Sequence, residues 1–170
     1  MTISSKAGFI LQSDRYSRDM AGTSLESYIV LHKGEFAYNK GNSFTYPQGC
    51  IFQLDKPSAL VPHVYFCFAL KPTLHHDFYV HIFHAGLLNH QLARLINSGV
   101  RNDGLLNINS DEFFSCKLPV PDRKEQKAIA SALSAATQEI ELLERDVDLL
   151  TRQKRGLMQK LLIGEWRVRV

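Results

Sequence analysis

Two polar loops carry the groups most able to do chemistry in this chain. The first is Tyr38-Asn39-Lys40-Gly41-Asn42-Ser43-Phe44-Thr45, read as the exit of a strand. The second is Ser98-Gly99-Val100-Arg101-Asn102-Asp103-Gly104. Amide and guanidinium forks such as Asn39, Asn42, Arg101 and Asn102 match the edges of bases, while Lys40, Ser43, Thr45 and the Tyr38 hydroxyl suit phosphate oxygens. Each loop has a plainer reading: an Asn- and Gly-rich turn for the first, and a Gly-flanked loop with Arg101 paired to Asp103 for the second. Lys6, Gln12, Arg15, Tyr16 and Arg18 form a third polar stretch that fits phosphate or base contact as well as it fits a solvated loop.

Four histidines, His75, His76, His81 and His84, fall within ten residues, and His81 and His84 would share a helical face. That spacing can hold a metal, but no cysteine lies near enough in sequence to complete a tetrahedral set. Their aromatic neighbours favour ordinary packing, so no metal is expected. Cys50, Cys67 and Cys116 are odd in number and widely spaced, which suits reduced, buried thiols better than a disulfide framework. No phosphate-binding GxxxxGK[ST] loop, Asn-Pro-Pro-Tyr-like methylation motif or HExxH pair is present. The chain is expected to be no enzyme and to hold no cofactor itself.

The elements that must position these groups fall into two segments with different periods. From about residue 8 to 118, the runs Ser27–Leu31, Gly49–Leu54 and Val64–Ala69 are rich in β-branched and aromatic residues and bounded by turn formers, so they read as strands. Phe78, Ile82, Leu88, Leu92, Leu95 and Ile96 recur at helical spacing between Asp77 and Ser98, giving one or two short helices packed on the sheet. The expected class is α+β, with a twisted, mostly antiparallel sheet.

After Pro119-Val120-Pro121 a new helix begins. Asp122 and Glu125 have capping-box spacing. Ile129, Leu133, Ala136, Ile140, Leu143, Val147, Leu150, Lys154, Leu157 and Leu161 then alternate steps of four and three, the spacing of a coiled-coil seam that only Lys154 interrupts. Over Asp122–Leu162 such a helix is roughly 60 Å long, more than the preceding domain can cover, so it needs a partner. Folding back on its own domain is the plainer alternative. Gly156 should weaken the helix, with a kink or fraying near the C-terminus, and Gly164 should stop it. The expected boundary puts residues 1–118 in a globular domain and 119–170 in the helix.

Composition sets outer limits. The 170 residues are 45% hydrophobic, enough for one ordinary domain plus an appendage. No leader and no apolar run long enough to span a membrane are seen, and a cytoplasmic protein is expected. Net charge is +3, split as +1 up to Pro121 (10 basic, 9 acidic) and +2 beyond it (10 basic, 8 acidic). So weak a charge permits nucleic-acid binding without arguing for it.

The stretch Leu118–Val168 resembles the conserved region of type I restriction-modification specificity subunits. The marks are Pro119-Val120-Pro121, Glu125-Gln126, Ile129-Ala130, Leu142-Leu143-Glu144, the run Lys154 to Leu162, and Gly164. Upstream, Tyr28–Asn39, Tyr46-Pro47-Gln48-Gly49 and Gly99–Phe114 look like framework of the target-recognition domain of that family. Family members usually carry two domain-plus-helix units, so this chain resembles a half-length form that lacks some residues usual ahead of Gly8-Phe9-Ile10. The resemblance implies a non-catalytic subunit that selects the DNA sequence. A separate modification subunit then methylates adenine with S-adenosylmethionine, and a restriction subunit uses ATP and Mg. It also implies an antiparallel homodimer standing in for the usual two helices, and a target that is an interrupted palindrome. It transfers no base contacts to particular residues. The alternative is a degenerate half-subunit acting only through its coiled coil.

Overall fold

A computed structural model describes residues 1–4, 8–11, 28–41, 45–96 and 105–168. The chain forms two compact units, Met1–Lys127 and Ala128–Val170. The first is α+β, and all its described strand pairings are antiparallel.

Among the described residues, the first unit has three small sheets. Strands β1 (Thr2–Ser4) and β2 (Gly8–Ile10) form a ribbon, and β3 (Ile29–His32) pairs with β6 (Ser58–Val61). Strand β4 (Phe36–Asn39) is flanked by β5 (Cys50–Gln53) and β7 (Phe66–Phe68). In the β3–β6 ribbon the faces alternate as a half-buried strand requires: Leu31 and Val61 are buried, while Val30 and Leu60 pair across the outer face.

All four residues of β4 are buried, because it is a central strand covered on both sides. Its alternation divides two cores. Ala37 faces Ile3, Phe9, Leu31, Leu54, Ala59, Val61 and Tyr65. Phe36 and Tyr38 face helix α1 (His76–His84) and helix α3 (Ser110–Phe114), through Phe36 against Phe83 at 5.2 Å and Tyr38 stacked on Phe113 at 4.5 Å between ring centroids. Helix α2 (Asn89–Leu95) contributes buried Leu92, and its Gln91 amide both donates to and accepts from the Lys117 backbone at 2.7 and 2.9 Å.

Helix α4 runs from Arg123 to Leu162. The Asp122 carboxylate accepts from the N–H groups of Lys124 and Glu125, satisfying two donors that a helix start leaves open. A complete capping box occurs instead at α3, between Asn109 and Glu112. The helix runs through Gly156 without interruption. The helix continues one and a half turns past it to Leu162, where Gly164 adopts φ +80° and donates to Leu161, closing the end in the left-handed turn that glycine permits.

Candidate nucleic-acid interface

The first candidate loop leaves the end of β4, and its first three residues turn inward. Tyr38 is 0% exposed, and its hydroxyl donates to the Gln48 carbonyl at 2.9 Å. Burial drives its pKa well above the usual phenol range, so the hydroxyl keeps its proton. Asn39 is also buried, with Oδ1 accepting from Gly41 N–H at 2.8 Å. Lys40 donates to the Ile108 carbonyl at 3.0 Å and lies 4.7 Å over the Phe66 ring. Of the residues offered as DNA contacts, Tyr38 and Asn39 are therefore buried, while Lys40 is half-buried. The first two are core and turn residues, and the third spends its charge on a carbonyl and a ring face. Their polar types suggested surface, but Tyr38 lies between β5 and β7 and Asn39 pairs with Cys50 on β5.

Thr45 is exposed, at the far end of the same loop. Asn42, Ser43, Arg101, Asn102 and Arg15 lie outside the described residues, as do Lys6, Gln12, Tyr16 and Arg18.

The structure does bring the flanks of the two loops together. Leu106 N–H donates to the Lys40 carbonyl at 2.9 Å, and the Lys40 ammonium bonds two residues further on, at the Ile108 carbonyl. The strand exit at Lys40 and the segment 106–108 are thus neighbours, although more than 60 residues separate them in the chain. The Lys40 side chain acts as the clamp between them, a role that polar composition alone did not reveal.

The far side of the first loop is fixed by Tyr46-Pro47-Gln48-Gly49. Gly49 donates to the Tyr46 carbonyl at 2.9 Å and sits at φ +75°, against the Tyr38 ring; a Cβ there would meet Tyr38 at 2.5 Å. This motif is a turn that allows the backbone to close onto Tyr38, which explains its residue types physically.

The histidines take packing roles. His84 lies 5.4 Å from the Phe52 ring, and burial, with His81 beside it, lowers its pKa, so it is neutral at physiological pH. No group of three or more His, Cys, Asp or Glu able to hold a metal occurs among the described residues. Cys50, Cys67 and Cys116 form no disulfide and are partly buried.

At its start α4 is bonded into the first unit. Gln126 is 2% exposed; its Oε1 accepts from His75 N–H at 2.9 Å and its Nε2 donates to the Pro121 carbonyl at 2.8 Å. Tyr79 donates to Pro119 at 3.2 Å, and Arg123 to Pro72 at 3.1 Å. The Glu-Gln pair noted in the sequence thus has a division of labour: Glu125 lies in the capped first turn and Gln126 locks the helix start.

The second unit has a different character. Every residue from Ser131 to Gln159 except Ser134 is exposed. Among the seam positions, Leu133 (44%), Ile140, Leu143 and Val147 (63%), Leu150, Leu157 and Leu161 leave apolar surface open, whereas Ile129 is half-buried. Leu142 and Leu149, one heptad apart, are also exposed, as is Ile163 just past the helix end. No helix among the described residues is long and apolar enough to cross a membrane. A monomeric helix of this length with an open leucine seam has few tertiary contacts to hold it, which is the usual mark of a helix that pairs.

Comparison with known proteins gives the class. Residues 20–152 match the family described as type I restriction modification DNA specificity domain, and the chain belongs to that family. A stretch of 66 residues is 30% identical to the type I restriction enzyme MjaVIII specificity subunit of Methanocaldococcus jannaschii. That stretch covers 39% of this chain and 16% of that protein. No solved structure matches.

Proposed function

We propose that this chain selects the DNA sequence for a type I restriction-modification assembly, working as an antiparallel homodimer without catalysis of its own. The observation that carries this reading is the open seam on α4 in a chain of the DNA specificity family. An open seam of this length needs a second helix, and the same seam on another copy is self-complementary to it. Two-fold pairing then presents two identical reading domains, and a two-fold protein suits an interrupted palindrome. Reading is assigned to the polar segments 42–45 and 98–104, which flank the residues that Lys40 bonds together. Methylation of adenine with S-adenosylmethionine, and ATP- and Mg-dependent restriction, belong to partner subunits. Leu142 and Leu149, on the side of α4 away from the seam, stay free for such a partner. Cytoplasmic residence follows from this role.

The test is to purify the chain with a type I modification subunit and map methylated adenines in DNA treated with the complex. One interrupted palindrome marked in both halves is the expected result. A folded dimer that joins the modification subunit but shifts no duplex, at any salt concentration, would leave it as a coiled-coil interaction protein.

A further inference from the structure

We propose that the α4 seam is built for one antiparallel register, centred on Arg145, in which Lys154 of each copy lies over Ala136 of the other. This rests on the homodimer reading above and specifies it residue by residue. The ten seam positions lie symmetrically about residue 145. Antiparallel pairing about that point sets Ile129 against Leu161, Leu133 against Leu157, Ala136 against Lys154, Ile140 against Leu150, and Leu143 against Val147. Each residue occurs once on each copy, so all ten positions find a seam partner. The one charged seam residue meets the smallest one. Its four-carbon stem fills the space that alanine leaves, and its ammonium reaches water at the edge.

The competing arrangements are poorer for stated reasons. A slip of one heptad in one direction sets Ile129 and Leu133 opposite Val168 and Gly164, beyond the end of the helix at Leu162, and puts Lys154 on Leu143. The opposite slip sets Leu161 and Leu157 against Asp122 and Gln126, which already cap and anchor the helix, and puts Lys154 on Ile129. A parallel, in-register pair places Lys154 on Lys154 and Ala136 on Ala136, one layer repelled and another hollow. The centred register does bring Glu144 and Asp146 near their own copies at the two-fold axis. Both are exposed, and physiological salt screens such charges beyond about 8 Å, so added salt should tighten this pair.

The experiment uses the full chain. Ile140→Cys/Leu150→Cys, mildly oxidised and digested, should give an inter-chain peptide linking positions 140 and 150. Leu143→Cys/Lys154→Cys and Ile129→Cys/Lys154→Cys report the two slipped registers, and Leu143→Cys alone reports parallel pairing. Independently, Ala136→Lys should weaken self-association roughly tenfold or more by facing Lys154. Adding Lys154→Ala to it should restore association, because the lysine–alanine layer is re-formed with the residues exchanged. A dimer that crosslinks through a slipped or parallel pair, or that the exchange fails to rescue, overturns the register while leaving the homodimer intact. A chain that stays monomeric by light scattering at every concentration overturns the homodimer reading itself.

Discussion

Replacing Gln126 with alanine should unfasten the start of α4 from the globular unit. The side chain is 2% exposed and satisfies two backbone groups, the His75 N–H at 2.9 Å and the Pro121 carbonyl at 2.8 Å. Truncation strands both. Each unsatisfied buried group costs about 1–3 kcal/mol, and partial entry of water into the gap favours the lower half, so the total loss should be about 2–4 kcal/mol. For a chain of this size that corresponds to a fall of roughly 6–12 °C in Tm. Near-UV circular dichroism is the appropriate readout, because the aromatic cluster lies in the first unit with Gln126. Lys127→Ala, one residue along and exposed, is the control and should change stability by no more than about 0.5 kcal/mol. Gln126→Glu keeps the acceptor for His75 but, once ionised, turns a carboxylate oxygen toward Pro121, and it should fare no better than alanine. If Gln126→Ala melts with Lys127→Ala, the two hydrogen bonds do not fasten the helix and the reasoning fails.

Other outcomes follow from the same geometry. Gly49→Ala forces φ +75° on a residue with a Cβ and drives that carbon to 2.5 Å from the Tyr38 ring, so stability should fall by on the order of 2 kcal/mol or more in a thermal melt. Ile140→Asp combined with Val147→Asp puts four charges into a two-fold seam and should give a monomer by light scattering, with the near-UV spectrum of the first unit unchanged. The Cys67 thiol is pushed up to about 11 by burial and the nearby Glu35 carboxylate. At pH 8 only about 0.1% is thiolate, so its alkylation by iodoacetamide, followed by mass spectrometry, should be slow and should rise about tenfold per pH unit. A rate that levels off below pH 9 would contradict that environment.

What the sequence disclosed depended on how often each signal was repeated. The seam of α4 states its period ten times between Ile129 and Leu161, and the helix ends within one residue of the expected Asp122–Leu162 span. The strands at Ile29, Cys50 and Phe66 were legible because each is an apolar or aromatic run between turn formers. The three-residue strands at Thr2 and Gly8 offer too few positions for any period. Asn109 and Glu112 carry a capping-box spacing, but five helical residues leave no stripe to accompany it.

The candidate site was less legible, for a physical reason. Tyr38, Asn39 and Lys40 have the residue types of a binding loop, and their burial is decided by residues 50–53, 66–68 and 106–113, which local pattern does not bring to them. The turn at Tyr46-Pro47-Gln48-Gly49 was visible as a motif, whereas its closure onto Tyr38 required the fold. The joining of the two loop bases through Lys40 likewise lies in contacts across more than sixty residues of sequence.

The bonding of the first turn of α4 also bears on how this protein could exchange parts with its relatives. Composition invites a cut at Leu118, just before the prolines. Such a cut would leave behind Pro119, Pro121, Arg123 and Gln126, and with them the groups that satisfy Tyr79, His75 and Pro72. A graft that carries a new reading domain onto an old helix should therefore be joined after Lys127, so that each domain travels with the turn it is fastened to. Joined there, the globular unit and the open seam of α4 become separately replaceable pieces.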